Sequence, residues 1–252
     1  MPRETRYALA VIAGVYSLII ALAIVAHDSW ALWLATLPII GGLQNHLLLL
    51  HHEGAHGLLH PQRRVNDFIT NIFCGFPFLE LLRPYREFHF AHHRHVTSDQ
   101  DPELPFYHQQ GYFFEPLSRV QTLRQAFLDL SGYHWLQFFF AFLFSLELDA
   151  HFFTRNDRSS IAVFALLPLL LLIPGFGSGV LWFWLIPQIT ITFYFAKRRG
   201  FREHNKRVDS LDACTNNVNG NILERFFLFP LNSDQHLDHH LNPQLRWFEY
   251  PR

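Results

Sequence analysis

The chain has 252 residues, half of them hydrophobic and only 16% charged, with a net charge of −1. A near-neutral balance argues against a nucleic-acid partner, and so low a charged fraction is unusual for a soluble domain, where about a quarter is typical. Two cysteines without a Cys-x-x-Cys pair support neither a disulfide framework nor a thiolate metal site. The outlier is histidine, at seventeen residues.

In chain order, the first apolar run is Tyr7 to Ala26 and the second Ala31 to Leu50, each free of charge. At about 1.5 Å per residue, each spans roughly 30 Å, the thickness of a bilayer core. The first run is too long, and Ala26-His27-Asp28 too poor a cleavage site, for a removable signal peptide. Only His27-Asp28-Ser29-Trp30 separates the two, so they form a hairpin. Phe68 to Leu82 and Trp135 to Leu148 are apolar but interrupted or short, which predicts interfacial or core segments. A second hairpin is expected from Ile161–Ile173 and Val180–Ala196, broken at Pro174 to Gly179.

All Lys and Arg lie in residues 3–6, 63–158 or 197–252, and none in either hairpin. Positive residues stay cytoplasmic, so both turns are expected outside and both termini in the cytosol. The predicted fold is all-α and integral to the membrane. It is one domain, 1–252, with four passes at 7–26, 31–50, 161–173 and 180–196. Residues 51–160 and 197–252 form a cytosolic helical cap.

That topology brings three histidine clusters to one membrane face. The first is His51-His52-Glu53-Gly54-Ala55-His56, in which His52 and His56 share a helix face at i, i+4. The second, His89-Phe90-Ala91-His92-His93 with His95 nearby, and the third, His236-Leu237-Asp238-His239-His240, share the pattern His-x-x-His-His. On a helix, that spacing places three imidazoles on one side. Eight clustered imidazoles exceed what one ion uses, so the pattern predicts two metal ions. Imidazole suits iron, zinc, copper and nickel alike. His27, His46, His108, His134 and His151 stand alone and are expected to be structural. His52-Glu53-x-x-His56 also spells a zinc metalloprotease motif, a reading that leaves the other clusters unused.

The whole constellation resembles the membrane fatty acid desaturase family of histidine-box di-iron enzymes. Cluster one resembles the first box. Tyr85-Arg86-Glu87-Phe88-His89-Phe90-Ala91-His92-His93-Arg94-His95 with Asp101-Pro102-Glu103 resembles the second, and Leu231-Asn232 through His236-Leu237-Asp238-His239-His240-Leu241-Asn242-Pro243 the third. Cys214-Thr215-Asn216-Asn217 departs from the family's usual approach to that last box.

The resemblance implies ligands His52, His56, His89, His92, His93, His236, His239 and His240. It adds a ninth, His204, from the pair Glu203-His204. It casts Glu53 as a group orienting a ligand. It further implies two iron ions, replaceable by zinc in isolated protein, with molecular oxygen as co-substrate and a double bond inserted into an acyl chain. Hydroxylation or ketolation by the same centre is the alternative. No Gly-x-Gly-x-x-Gly fingerprint occurs, and His60-Pro61 continues as Gln62. Electrons are therefore expected from a separate ferredoxin, rubredoxin or cytochrome b5.

Overall fold

The computed structural model describes residues 1–109, 117–145, 169, 172–204 and 214–250. Among them the chain is helical without a strand; Asn217 and Gln235 form an isolated bridge. Helix α1 is Arg3–Ala26 and α2 is Trp30–His56. A third long helix, α8, runs Phe176–Glu203. These three are long and apolar enough to cross a membrane, and a bent pair of shorter helices raises the count to four.

Buried positions of α1 recur at Ala8, Ile12, Val15 and Ile19, the three-and-four spacing of one helix face. They pack with Ile40, Leu43, Leu47 and Leu50 of α2. Leu18, Ile20, Ile24 and Val25 on the other side of α1 are exposed, as expected of a helix whose outer face meets lipid. Half of the apolar window of α2 is buried, against 22% for α1 and α8, so α2 is the central pass.

Several polar groups of α2 find partners on neighbouring elements, as a medium without water requires. Gln44 donates to the Trp184 carbonyl at 2.9 Å and accepts from the Thr192 hydroxyl at 2.6 Å. Asn45 donates to the carbonyls of Phe227 and Leu228. His46, expected to be structural, pairs its Nδ1 with the Gly42 carbonyl at 2.8 Å and packs against Phe226.

Both hairpin boundaries differ from the sequence expectation. Helix α2 continues past Leu50 to His56 and stops where Gly57 adopts φ 81°, a left-handed cap that favours glycine. The first histidine cluster is thus on the membrane helix itself. Helix α8 starts at Phe176, inside the expected break, because Gly175 alone makes the turn at φ 78°. It continues beyond Ala196 to Glu203, with π turns at Leu181–Leu185 and Gln188–Thr192. The expected pass at 161–173 lies almost wholly outside the described residues, as does His151.

Between the long helices, α3 (Arg63–Thr70) runs into a π turn and a short 3-10 turn. The chain then bends by 91° into α4, Leu82–His95. Three more helices follow: α5 (Leu104–Gln109), α6 (Arg119–Leu130) and α7 (Tyr133–Ser145). Helices α9 (Ile222–Phe227) and α10 (His236–Leu241) come after α8.

Helix α3 approaches the first cluster closely because Gly54 has no Cβ; one there would collide with the Thr70 side chain. Arg86 of α4 bonds the Gly54 and Ala55 carbonyls at 3.0 and 2.7 Å and pairs with Asp67 at 2.6 Å. It thereby satisfies carbonyls freed at the C-terminus of α2.

Candidate metal centre

Each histidine cluster sits on a helix that presents its spacing to one side: His52 and His56 on α2, the second triplet on α4, the third on α10. His204 caps the end of α8. Four helices thus deliver nine imidazoles, which fall into two groups. His52, His56, His89, His93 and His239 form one; His92, His204, His236 and His240 form the other. Within each group the ligand atoms lie within 4.8 Å of one another. His51 and His95 join neither group. His51 instead sets its Nδ1 3.3 Å from Glu80.

The spacing of the nitrogens shows what the groups can hold. His89 Nε2 is 2.9 Å from His56 Nε2 and 3.0 Å from His93 Nε2, which in turn is 3.1 Å from His239 Nε2. In the other group, His204 Nε2 is 3.2 Å from His92 Nε2 and 2.9 Å from His236 Nε2, with His240 3.1 Å beyond. An imidazole nitrogen carries either one proton or one lone pair, so it cannot hydrogen-bond two such neighbours. Both Nδ1 and Nε2 of His52 are buried without a hydrogen-bond partner among the described residues. Converging lone pairs of this kind fit a cation. Ligands ~2.1 Å from an ion are ~3.0 Å apart at right angles and ~3.4 Å apart in a tetrahedron. The observed spacing suits right-angled coordination.

Burial, and after it the neighbouring imidazoles, push His236, His239 and His240 well below the ordinary histidine range. They are therefore neutral, the form in which imidazole ligates.

The far side of several rings is held as well. Asp101, itself buried, faces His92 Nδ1 at 3.0 and 3.1 Å and accepts the amides of Thr97 and Glu103. The Tyr250 hydroxyl lies 3.2 Å from His239 Nδ1, and Thr215 Oγ1 3.4 Å from His204 Nδ1. Glu203 is 3.7 Å from His236 Nδ1. Tyr85 stacks on His89 at 5.5 Å.

Glu53 stands 3.5 Å from His52 Nδ1 and accepts the Trp247 amide at 3.3 Å, so it ties the C-terminal segment to α2. Thr215 and its neighbours, where the sequence departs from the family pattern, support the centre directly. Asn216 bonds the Glu203 carbonyl, and Asn217 accepts the amides of Leu237 and Asp238 at the start of α10. Sequence reasoning gave no role to Tyr250, Thr215 or Arg86, although Arg86 falls within the second box and Thr215 within the departure before the third. His134, expected to be structural, is buried with Nδ1 2.6 Å from Asp129.

A fatty acid desaturase family model matches residues 28–252. The chain is also 27% identical over 231 residues to the dihydrorhizobitoxine desaturase of Bradyrhizobium elkanii, covering 85% of this chain. It spans 64% of that relative's length.

Proposed function

Because the chain belongs to the fatty acid desaturase family, we propose that it is a membrane oxidoreductase that inserts a double bond into an acyl chain. The observation that carries the reading is the convergence of nine imidazoles into groups of five and four, with neighbouring Nε2 atoms 2.9 to 3.2 Å apart. Five and four histidines leave one and two positions open on ions that prefer octahedral geometry, which suits iron better than a closed tetrahedral zinc site.

Two bound irons with dioxygen would supply the oxidant that removes hydrogen from an unactivated carbon. The balance is simple. Two hydrogens leave adjacent carbons of the substrate, which close to a double bond. With two electrons from an external donor and two protons from solvent, dioxygen leaves as two waters. Ferredoxin, rubredoxin and cytochrome b5 are donors of the right kind.

The chain's own residues position and exclude. Histidines of α2, α4, α8 and α10 fix the centre, and Asp101, Thr215 and Tyr250 fix the rings. A cavity of about 210 Å³ reaches Tyr85, which stacks on His89, and is walled by Leu48, Phe138, Phe139 and Phe193. Those apolar walls suit a methylene chain. The relative's name gives dihydrorhizobitoxine as what it desaturates; the cavity here supports a lipid or acyl substrate. A pocket that holds the second carbon firmly favours desaturation over oxygen insertion, a positioning effect in which about 1 Å is worth on the order of a hundredfold.

The test is expression with a reductase and donor, followed by mass spectrometry of lipids and pigments. A product lighter by two hydrogens, formed only with oxygen, is expected. A product gaining oxygen without a new double bond would make this a hydroxylase or ketolase. Metal analysis should give two ions per chain.

We place both termini and the centre on the cytosolic face of a single 1–252 domain, with 161–173 as the remaining pass. The absence of Lys and Arg from both hairpins supports this. Reporters fused at Ser29 and Gly177 should read external, and those at Arg64 and Arg252 internal. An external Arg64 would refute the topology.

A further inference from the structure

Three cavities among the described residues form a series. The first, about 30 Å³, lies against His52, His236 and His239. The second is the cavity of about 210 Å³ beside Tyr85. The third, about 570 Å³, is an apolar cleft between α1 and the N-terminal part of α8. Arg199 is common to the walls of the first and second, and Leu79 to those of the second and third.

The series leads away from the metal centre into the depth of the membrane. Thr5 bonds the Leu59 carbonyl, so the start of α1 is level with the first histidine cluster. Tyr16 to Ala23, which line the cleft, lie roughly 16–27 Å further along α1 at 1.5 Å per residue.

Leu79 is held firmly where the second cavity meets the third. Its backbone is left-handed, at φ 59°, a conformation that L side chains disfavour and glycine accepts freely. The turn around it is clamped from two sides. The carbonyls of Phe73, Pro77 and Phe78 accept from Tyr16 at 2.8 Å, Trp184 at 2.7 Å and Gln188 at 3.1 Å. A leucine at this glycine-like position carries a backbone cost, and the residue is common to the walls of both cavities.

We infer that Leu79 is a chain-length ruler: its side chain ends the inner cavity and limits how much apolar chain beyond the reacting carbons is accepted. This rests on the acyl-chain reading above. The ruler is static, because the turn is bonded to both α1 and α8, and the occupant it excludes or admits to the cleft is the distal end of the substrate chain.

The experiment compares wild type with Leu79→Gly and Leu79→Trp, each loaded with metal. The readouts are equilibrium binding of saturated fatty acids of graded length, which needs no turnover, and the length profile of unsaturated products. Glycine accepts the left-handed backbone freely, which offsets packing lost with the leucine side chain, so Leu79→Gly should still fold. It should shift binding and products toward longer chains. Leu79→Trp should cut the longest accepted chain, by about tenfold or more per methylene excluded. If Leu79→Trp loses its metal, Leu79→Gly decides alone. Unchanged length profiles in variants that keep their metal would overturn the ruler. A wild type that neither binds nor desaturates acyl chains would instead overturn the acyl reading on which it stands.

Discussion

The two imidazole groups are built differently. In the group of four, three rings are backed by protein: His92 by Asp101, His204 by Thr215 and His236 by Glu203. In the group of five, the rings mostly pack on aromatics. Tyr85 lies flat on His89, Phe90 lies beside His56, and Tyr250 supplies a neutral hydroxyl to His239. Carboxylates thus face two rings of the group of four and one ring, His52, of the group of five, where shape does more of the orienting. The group with fewer protein ligands has the stronger outer support. A site with more open positions needs its ligands held more firmly, since fewer bonds to the ion hold them.

The largest test of that comparison removes a ring from each group. His92→Ala and His239→Ala should each abolish activity if the proposed chemistry uses both ions; metal analysis and product formation check this. Full activity in His239→Ala together with loss in Glu53→Gln would point instead to the metalloprotease motif.

Smaller effects should separate the groups. Asp101→Asn should weaken metal retention by about 10- to 100-fold, as loss of a ligand's outer carboxylate does, and should lower the measured content from two ions toward one. Tyr250→Phe should cost about fivefold, since a neutral hydrogen bond contributes ~1 kcal/mol net. Equal losses in the two variants, measured by chelator competition, would erase the distinction.

The smallest effect is on stability. In the metal-free protein, His236, His239 and His240 titrate well below 6.5 when folded and near it when unfolded. As pH falls below about 6.5, the unfolded chain takes up protons that the folded chain refuses, so stability drops. Melting of chelator-stripped protein should move to lower temperature as pH is lowered through that value, and metal-loaded protein should resist the change until its ions are displaced. A melting temperature indifferent to pH would contradict the buried, neutral rings.

What the sequence revealed, and what it hid, follows contact range. The triplets at 89, 92, 93 and at 236, 239, 240 were legible because helix geometry alone places them on one side. His204 has no such neighbours and emerged only through resemblance. Asp101 stands out near the second box, yet its bond to His92 depends on the turn at Thr97, whose φ is 57°. Tyr250 and Trp247 reach His239 and Glu53 by closure of the C-terminal segment, which no periodicity announces. Hydropathy located α1 and α2 but ended α2 at Leu50, because His51 to His56 read as polar. Burial by α3, α4 and the C-terminal segment makes that stretch interior.

The tie between Glu53 and Trp247 crosses 194 residues, and it sets a schedule for biogenesis. At about 5–20 residues per second, synthesis takes on the order of 10–40 s to travel from one to the other. For most of that interval, the imidazoles of α2 stand without those of α8 and α10. Both groups of the centre can be completed only after α10 has been made. Until then α2 and α4 offer a partial ligand set, open to whichever cation arrives first, so the metal supply as α10 emerges governs how the site is filled.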